Sequence, residues 1–446
     1  MRSLGADLRL AWQLTCGSDR GEWWRAALTA VGAALATAFA LAAVALASLR
    51  GSRSIPLAAG ILDEPGTRSG VVLGLVLLLL PVLGFLGQCA RIGAVHRDRR
   101  LAGLRLAGAT PWQVRRIAAL ETGLACALGS AVATVPSVLV LPRLWDAPTA
   151  LTWAGVVLVA VAVPVLGATA GALALRQVVA SPLGSVRRTG PRDGRVPGLL
   201  FLCGLLLAAV AALLTAAGAS DAPHGSSGGS PLPLAGVVLA VGAGAVWLSG
   251  ATARVIGRFL AGRARSAATL IAAERLREDP WSAARTHAAV LLVTVAGTGF
   301  LGVRQVLADA VRDRPDASYY LTGLNLTGAA VVIALAISLS GLAVGTAESL
   351  ATRRRGLAAQ AAAGVPQSVL GRALLLETAL PLTPAVLLAG LGGTAIGVRY
   401  AVLADEAVPW ASALFPVAVL AACLLAAATS LPLLRRTVRP GELRYA

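Results

Sequence analysis

Long stretches without a charged side chain recur along the whole chain, and they constrain its fold more than any other feature. Ten of these stretches approach the roughly 20 residues that an α-helix needs to cross a hydrocarbon core about 30 Å thick. Charged residues make up 13% of the 446 residues, about half the share usual in soluble domains. The stretches therefore predict an all-α, polytopic membrane helix bundle, and they exclude a soluble globular or disordered chain.

The distribution of arginine predicts how this bundle is oriented. The ten predicted spans cover residues 26–49, 71–90, 122–141, 153–175, 199–217, 234–253, 288–307, 326–344, 373–398 and 411–434. If the N-terminus lies inside, 31 of the 39 basic residues fall in the inner segments and 8 on the outer side, counting Arg304 near the outer end of the seventh span. Basic residues accumulate on the cytoplasmic side of membrane proteins. We therefore predict a multi-pass protein of the cell membrane with both termini in the cytoplasm.

The absence of lysine excludes several kinds of active site. All 39 basic residues are arginine, so the chain has no lysine for a phosphate-binding loop or for a Schiff base. The five cysteines and three histidines are scattered, without the spacing of a disulfide framework or a metal site. We therefore predict no enzymatic activity and no catalytic, metal or cofactor residue. The net charge of +18 follows the inner segments, so we attribute it to the lipid bilayer and not to a nucleic acid.

A segment after the second predicted span recurs after the eighth. Gly108 precedes Glu121 by 13 residues, and Gly364 precedes Glu377 by the same 13 residues, at a constant offset of 256. Two spans follow each copy. An internal repeat of this period indicates two related modules in one chain.

The repeat predicts how the domains are arranged. We expect a first four-span module at residues 1–190, a central two-span linker pair at 191–259 and a second four-span module at 260–446. Both modules begin inside in this 4+2+4 arrangement. They are therefore parallel repeats, related by an axis along the membrane normal as in some transporters.

The repeated segment predicts a sharp corner between two helices. Gly108 breaks the preceding helix, Thr110 is suited to cap the next one, and Pro111 suits its first position. A glutamine three residues after the cap completes a capping box. The second copy has Val365 where a cap would sit and Pro366 after it, so its corner is expected to be less regular.

Glu121 and Glu377 each stand where an apolar run begins, on the predicted inner face. A carboxylate at that boundary is costly unless it is paired. We expect it to pair with the arginine five residues earlier, Arg116 or Arg372, or with a neighbouring helix end. The favoured role is a structural pin that orients the loop; a proton relay is the alternative.

Two further patterns concern packing. The inner stretch 254–285 carries the sequence LIAAERLRED, which predicts an amphipathic helix ending at Pro280. Pairs of small residues four apart, Gly393 and Gly397 among them, favour close approach of membrane helices.

The repeated loop resembles the FtsX-like permease family of ABC transporters, the MacB/FtsX or type VII architecture. The resemblance rests on the sequence RRLAGLRLAGAT at residues 99–110 with Glu121, and on Gly364 and Glu377 in the second copy. It implies that the loops dock on a cytoplasmic ABC ATP-binding subunit, two copies per chain, and that ATP is bound by that partner. The coupling residues it implies are Leu101, Leu104, Gly108, Thr110, Pro111, Trp112, Leu357, Gly364 and Pro366.

The resemblance implies that ATP hydrolysis in a separate subunit drives export or a mechanical shape change across the membrane. One alternative is a non-transporting, ATPase-driven regulator of a cell-wall enzyme or a sensor kinase. Another is an ion-coupled secondary transporter, which parallel repeats would also permit. That class predicts ionisable residues near the middle of the spans, where this sequence offers mainly Ser, Thr and Gly.

Overall fold

The computed structural model describes residues 20–49, 62–63, 65–91, 103, 106–144, 148–174, 232–313, 315 and 317–437, and no strand occurs among them. The helices of this part of the chain are α1 (Arg20–Ala47), α2 (Pro65–Arg91), α3 (Pro111–Leu144), α4 (Ala150–Ala174), α5 (Leu232–Ala261), α6 (Ala267–Glu278), α7 (Pro280–Ala310), α8 (Ala317–Thr352), α9 (Arg354–Ala362), α10 (Gln367–Ala404), α11 (Leu414–Ala428) and α12 (Leu431–Thr437). The prediction of an all-α chain is confirmed.

Nine stretches of the described helices are long and apolar enough to cross a membrane. They coincide with nine of the ten predicted spans, and the chain is therefore a multi-pass membrane protein. The remaining predicted span, residues 199–217, lies outside the described residues, so the 4+2+4 arrangement and its domain boundaries stay a prediction. The amphipathic inner helix is confirmed, because one face of α6 is buried and α6 ends at Glu278, with Asp279 as its C-cap just before Pro280.

The helices fall into two compact units, one within residues 1–190 and the other within residues 191–446. In the first unit α1 packs against α2, α3 and α4, and α3 packs along α4. A glycine brings α1 and α3 together, since a Cβ on Gly129 would collide with the carbonyl oxygen of Ala30. Close backbone contact of this kind replaces the hydrophobic drive that is missing between helices in lipid.

The second unit is organised around α7. This helix packs against α5, α8 and α10. Of the residues in its most apolar stretch, 56% are buried, the largest share among the described spans. Its Leu291 and Val295 are fully buried against Leu382 and Val386 of α10. The long helix α10 is therefore held along its length by the most buried helix of the unit.

Candidate functional site

The first corner, residues 106–113, leads into α3. The chain turns at Gly108, whose φ of +94° is a conformation that favours glycine. The Gln113 amide donates to Thr110 Oγ1 at 3.3 Å, and the Thr110 amide donates to Gln113 Oε1 at 2.9 Å. These two hydrogen bonds form the predicted capping box. The predicted helix start at Thr110 and Pro111 is thus confirmed.

The surface of the first corner is apolar. Leu106 is 71% exposed and Trp112 is 69% exposed, on either side of the turn. Leu101 and Leu104, two of the predicted coupling residues, lie outside the described residues. Exposed tryptophan is enriched both in protein interfaces and at the membrane–water boundary.

The second corner, residues 360–367, is closed by backbone hydrogen bonds. The Val365 amide donates to the carbonyl oxygen of Gln360 at 3.1 Å, and the Gly364 amide donates to that of Ala361 at 2.9 Å. Gly364 has a φ of +88°. This pattern is a Schellman motif, which ends α9 and satisfies its last carbonyl groups.

The two corners share a backbone register but differ in their caps. The helix after the second corner begins with Pro366 as its N-cap, 256 residues after Thr110, and no side chain caps it. The expected cap position, Val365, is wrong by one residue, because the carbonyl oxygen of Pro366 accepts the first hydrogen bond of the following helix, from the Leu370 amide at 3.3 Å. The prediction of a less regular start is confirmed, since the capping box has no counterpart there.

Leu357 does not face a partner at the second corner. Its side chain is 1% exposed and packs with four leucines of the same unit, Leu350, Leu370, Leu374 and Leu434. Burying such a side chain contributes about 1.5–3 kcal/mol. Leu357 therefore anchors α9 on the bundle, and direct contact with a docked subunit is not available to it in this structure.

The Glu377 carboxylate joins three elements of the second unit. It accepts a hydrogen bond from Arg353 Nη1 at 2.8 Å, between α8 and α9, and one from Arg275 Nη1 of α6 at 3.4 Å. The side chain of Glu377 is 19% exposed and that of Arg275 is 12% exposed. The expected partner Arg372 is wrong, because its side chain is exposed and the carboxylate faces the other two arginines.

Sequence reasoning missed Arg275 and undervalued Arg353. Arg353 belongs to the repeated arginines beside the loop, so the repeat itself could have pointed to it. Arg275 is separated from Glu377 by 102 residues, and only the packing of α6 against α10 brings the two together. Glu121, in α3, is 4% exposed, which places this boundary carboxylate inside the first unit.

The arrangement supports positioning more than covalent chemistry. Among the described residues no group of three or more His, Cys, Asp or Glu could hold a metal ion. What the corners provide is two fixed backbone turns, one apolar surface and one pinned carboxylate. Such features orient helices.

The comparisons with known proteins agree with the family that the repeated loop resembles. A family model described as FtsX-like permease C-terminal matches residues 71–183. The matched residues run from α2 through the first corner into α3 and α4. No curated protein and no solved structure matches the chain. Residues 71–183 of this multi-pass membrane protein therefore match the FtsX-like permease family.

Proposed function

We propose that the chain is the membrane subunit of an ABC transporter, moved by ATP hydrolysis in a separate cytoplasmic subunit. The observation that carries the proposal is the recurrence of one backbone corner at a fixed offset. Gly108 and Gly364 both have positive φ, and a membrane-spanning helix begins three residues after each. Two equivalent corners provide two equivalent places for a partner to act.

The helices behind the corners are long enough to deliver motion across a bilayer. α3 has 34 residues and α10 has 38. At 1.5 Å per residue these helices are about 50 Å and 57 Å long, well beyond a hydrocarbon core of about 30 Å. A push at the corner is therefore carried by one continuous helix to the opposite side.

ATP itself belongs to the partner in this proposal. The chain has no lysine to reach the terminal phosphates of a nucleotide in a phosphate-binding loop. With the N-terminus inside, both corners face the cytoplasm, where an ATP-binding subunit can reach them. Since ABC ATP-binding subunits act in pairs, one chain with two corners is expected to recruit two of them.

Co-purification tests the proposal. The full chain, in detergent or a lipid nanodisc, is captured with a candidate ABC ATP-binding subunit from the same organism, and native mass measurement gives the stoichiometry. We expect one permease to two ATP-binding subunits, and no nucleotide bound by the permease alone. A 2:2 assembly, or stoichiometric nucleotide binding by the isolated permease, would refute it.

A pair of tryptophans provides a matched variant and control. Trp112→Ala removes the exposed ring of the first corner and is expected to weaken association about tenfold or more, as at interface hot spots. Trp410→Ala removes an equally exposed ring, 73% against 69%, beyond the far end of α10. It is expected to leave association unchanged. Equal effects of the two variants would contradict docking at the corner.

A further inference from the structure

The inner helix α6 has no role in the function proposed above, yet it is tightly integrated into the second unit. Its N-cap Ser266 accepts a hydrogen bond from the Thr269 amide at 3.2 Å. One face is buried, through Ala268, Ala272, Ala273 and Leu276, and α6 packs against both α5 and α10. It continues through Asp279 directly into α7. α6 is therefore a strut between the start of α10 and the start of α7.

The strut is fixed to α10 by charge. Arg275 in its last turn donates to Glu377 at 3.4 Å, and both side chains are largely shielded from solvent. The same carboxylate accepts from Arg353 at 2.8 Å, at the junction of α8 and α9. One carboxylate thus ties this junction, α10 and the strut together.

At the far end α10 meets α7 a second time, through glycine. A Cβ on Gly393 would lie 2.6 Å from Thr298 Cβ, and one on Gly397 would lie 3.0 Å from Gly302 Cα. Backbones this close pack directly against each other, so the crossing holds the two helices together at this end. α7 and α10 are consequently joined along their length, by glycine at one end, by buried side chains such as Leu291 and Leu382 in the middle, and by the strut at the other end.

Resting on the proposed function, we infer that Glu377 is a positioning residue that closes a rigid frame of α6, α7 and α10. With the Arg275 bond intact, displacement of the second corner moves α7 and α10 as one body. Without this bond, the first turns of α10 are released from α6, and the displacement is absorbed there before it reaches the part of α10 that packs on α7. The frame therefore couples the partner's ATP cycle to the far side without affecting docking itself.

Single-residue variants separate coupling from docking. Arg275→Gln breaks the strut's bond and leaves the Arg353 bond in place, while Arg275→Lys keeps the charge. Arg277→Gln is the matched control, since Arg277 lies in the same helical turn but pairs with Glu274 at 3.4 Å on the exposed side. Each variant is assembled with the ATP-binding subunit in nanodiscs, after replacement of the native cysteines by serine.

The readout is the distance between spin labels at Tyr320 and Val402, exposed positions at the ends of α8 and α10 remote from the corner. In the wild type and in Arg277→Gln we expect an ATP-dependent change in this distance. In Arg275→Gln we expect that change to be lost, with association and ATP hydrolysis retained, and in Arg275→Lys we expect it to return. A full change in Arg275→Gln overturns the inference.

A measurement on the chain alone keeps the inference separate from the proposed function. Loss of a partly buried ion pair is expected to speed amide exchange in α6 and the first turns of α10 about fivefold in Arg275→Gln, and not in Arg277→Gln. Equal exchange in the two variants refutes the frame even if the ATP-binding subunit docks. Failure of the wild type to dock refutes the proposed function and leaves this comparison intact.

Discussion

Two glycines in one short segment, Gly364 and Gly356, should respond to alanine in opposite ways. Gly364→Ala should lower the local stability of the segment, and Gly356→Ala should raise it. Gly364 has a φ of +88°, and a Cβ placed on it would have nothing within 4 Å. Gly364→Ala therefore adds no clash, only the cost of holding an L-residue at positive φ, about 1–2 kcal/mol. Gly356 lies in α9, also with nothing within 4 Å of an added Cβ. Gly356→Ala should stabilise that helix by about 0.5–1 kcal/mol.

Amide hydrogen exchange of the purified full chain measures both effects locally. The backbone amides at positions 364 and 365 donate the two Schellman hydrogen bonds. In Gly364→Ala these two amides should exchange about 5–30-fold faster than in the wild type. The amides of α9 should exchange about 2–5-fold more slowly in Gly356→Ala. Gly108→Ala repeats the first test in the other unit, where φ is +94° and an added Cβ again has open space. Unchanged corner exchange in Gly364→Ala, or the same direction in both variants, would refute the conformational argument.

Three further predictions test other parts of the structure. Thr110→Ala removes the cap of α3 and should cost about 1 kcal/mol, seen as faster exchange at the first turn of that helix. Gly397→Ala forces a Cβ against the backbone of α7 and should destabilise the unit by about 1–3 kcal/mol in chemical denaturation, whereas an α5 glycine with open space, Gly244, should tolerate alanine. Cysteine labelling of intact cells should reach position 226 from outside and position 354 only after permeabilisation; labelling of position 354 from outside would reverse the predicted topology.

The positions of the spans could be predicted from the sequence because hydropathy reports directly on lipid contact. The full helices are longer than the apolar runs that reveal them. Residues 326–344 were predicted for the eighth span, whereas α8 covers Ala317–Thr352. Hydropathy locates the hydrocarbon crossing, but a helix continues until a glycine, a cap or a turn ends it. The parts of the helices that extend beyond the hydrocarbon core could therefore not be predicted from hydropathy.

In the candidate site, the features that depend on neighbouring residues could be predicted, and the features that depend on distant helices could not. The turn at Gly108 and the capping box depend on residues within five positions, so spacing alone predicted them. The partner of Glu377 and the interior position of Leu357 depend on how α6 and α9 lie on the bundle. A nine-residue helix at a membrane boundary can turn either face inward, and sequence does not decide which.

The two corners share more of the internal repeat in their backbone than in their side chains. Thr110 and Pro366 would count as a mismatch in a comparison of side chains, yet both are the N-cap of the helix that follows. The first corner fixes its geometry with a capping box and exposes a tryptophan, whereas the second uses a Schellman motif, buried leucines and a shared carboxylate. What is common is the positive φ of Gly108 and Gly364 at one register. Under the proposed function, a partner that pushes on a corner acts through the direction of the backbone. We therefore expect the shared turn to give equivalent mechanical contacts and the differing side chains to give these contacts different strengths.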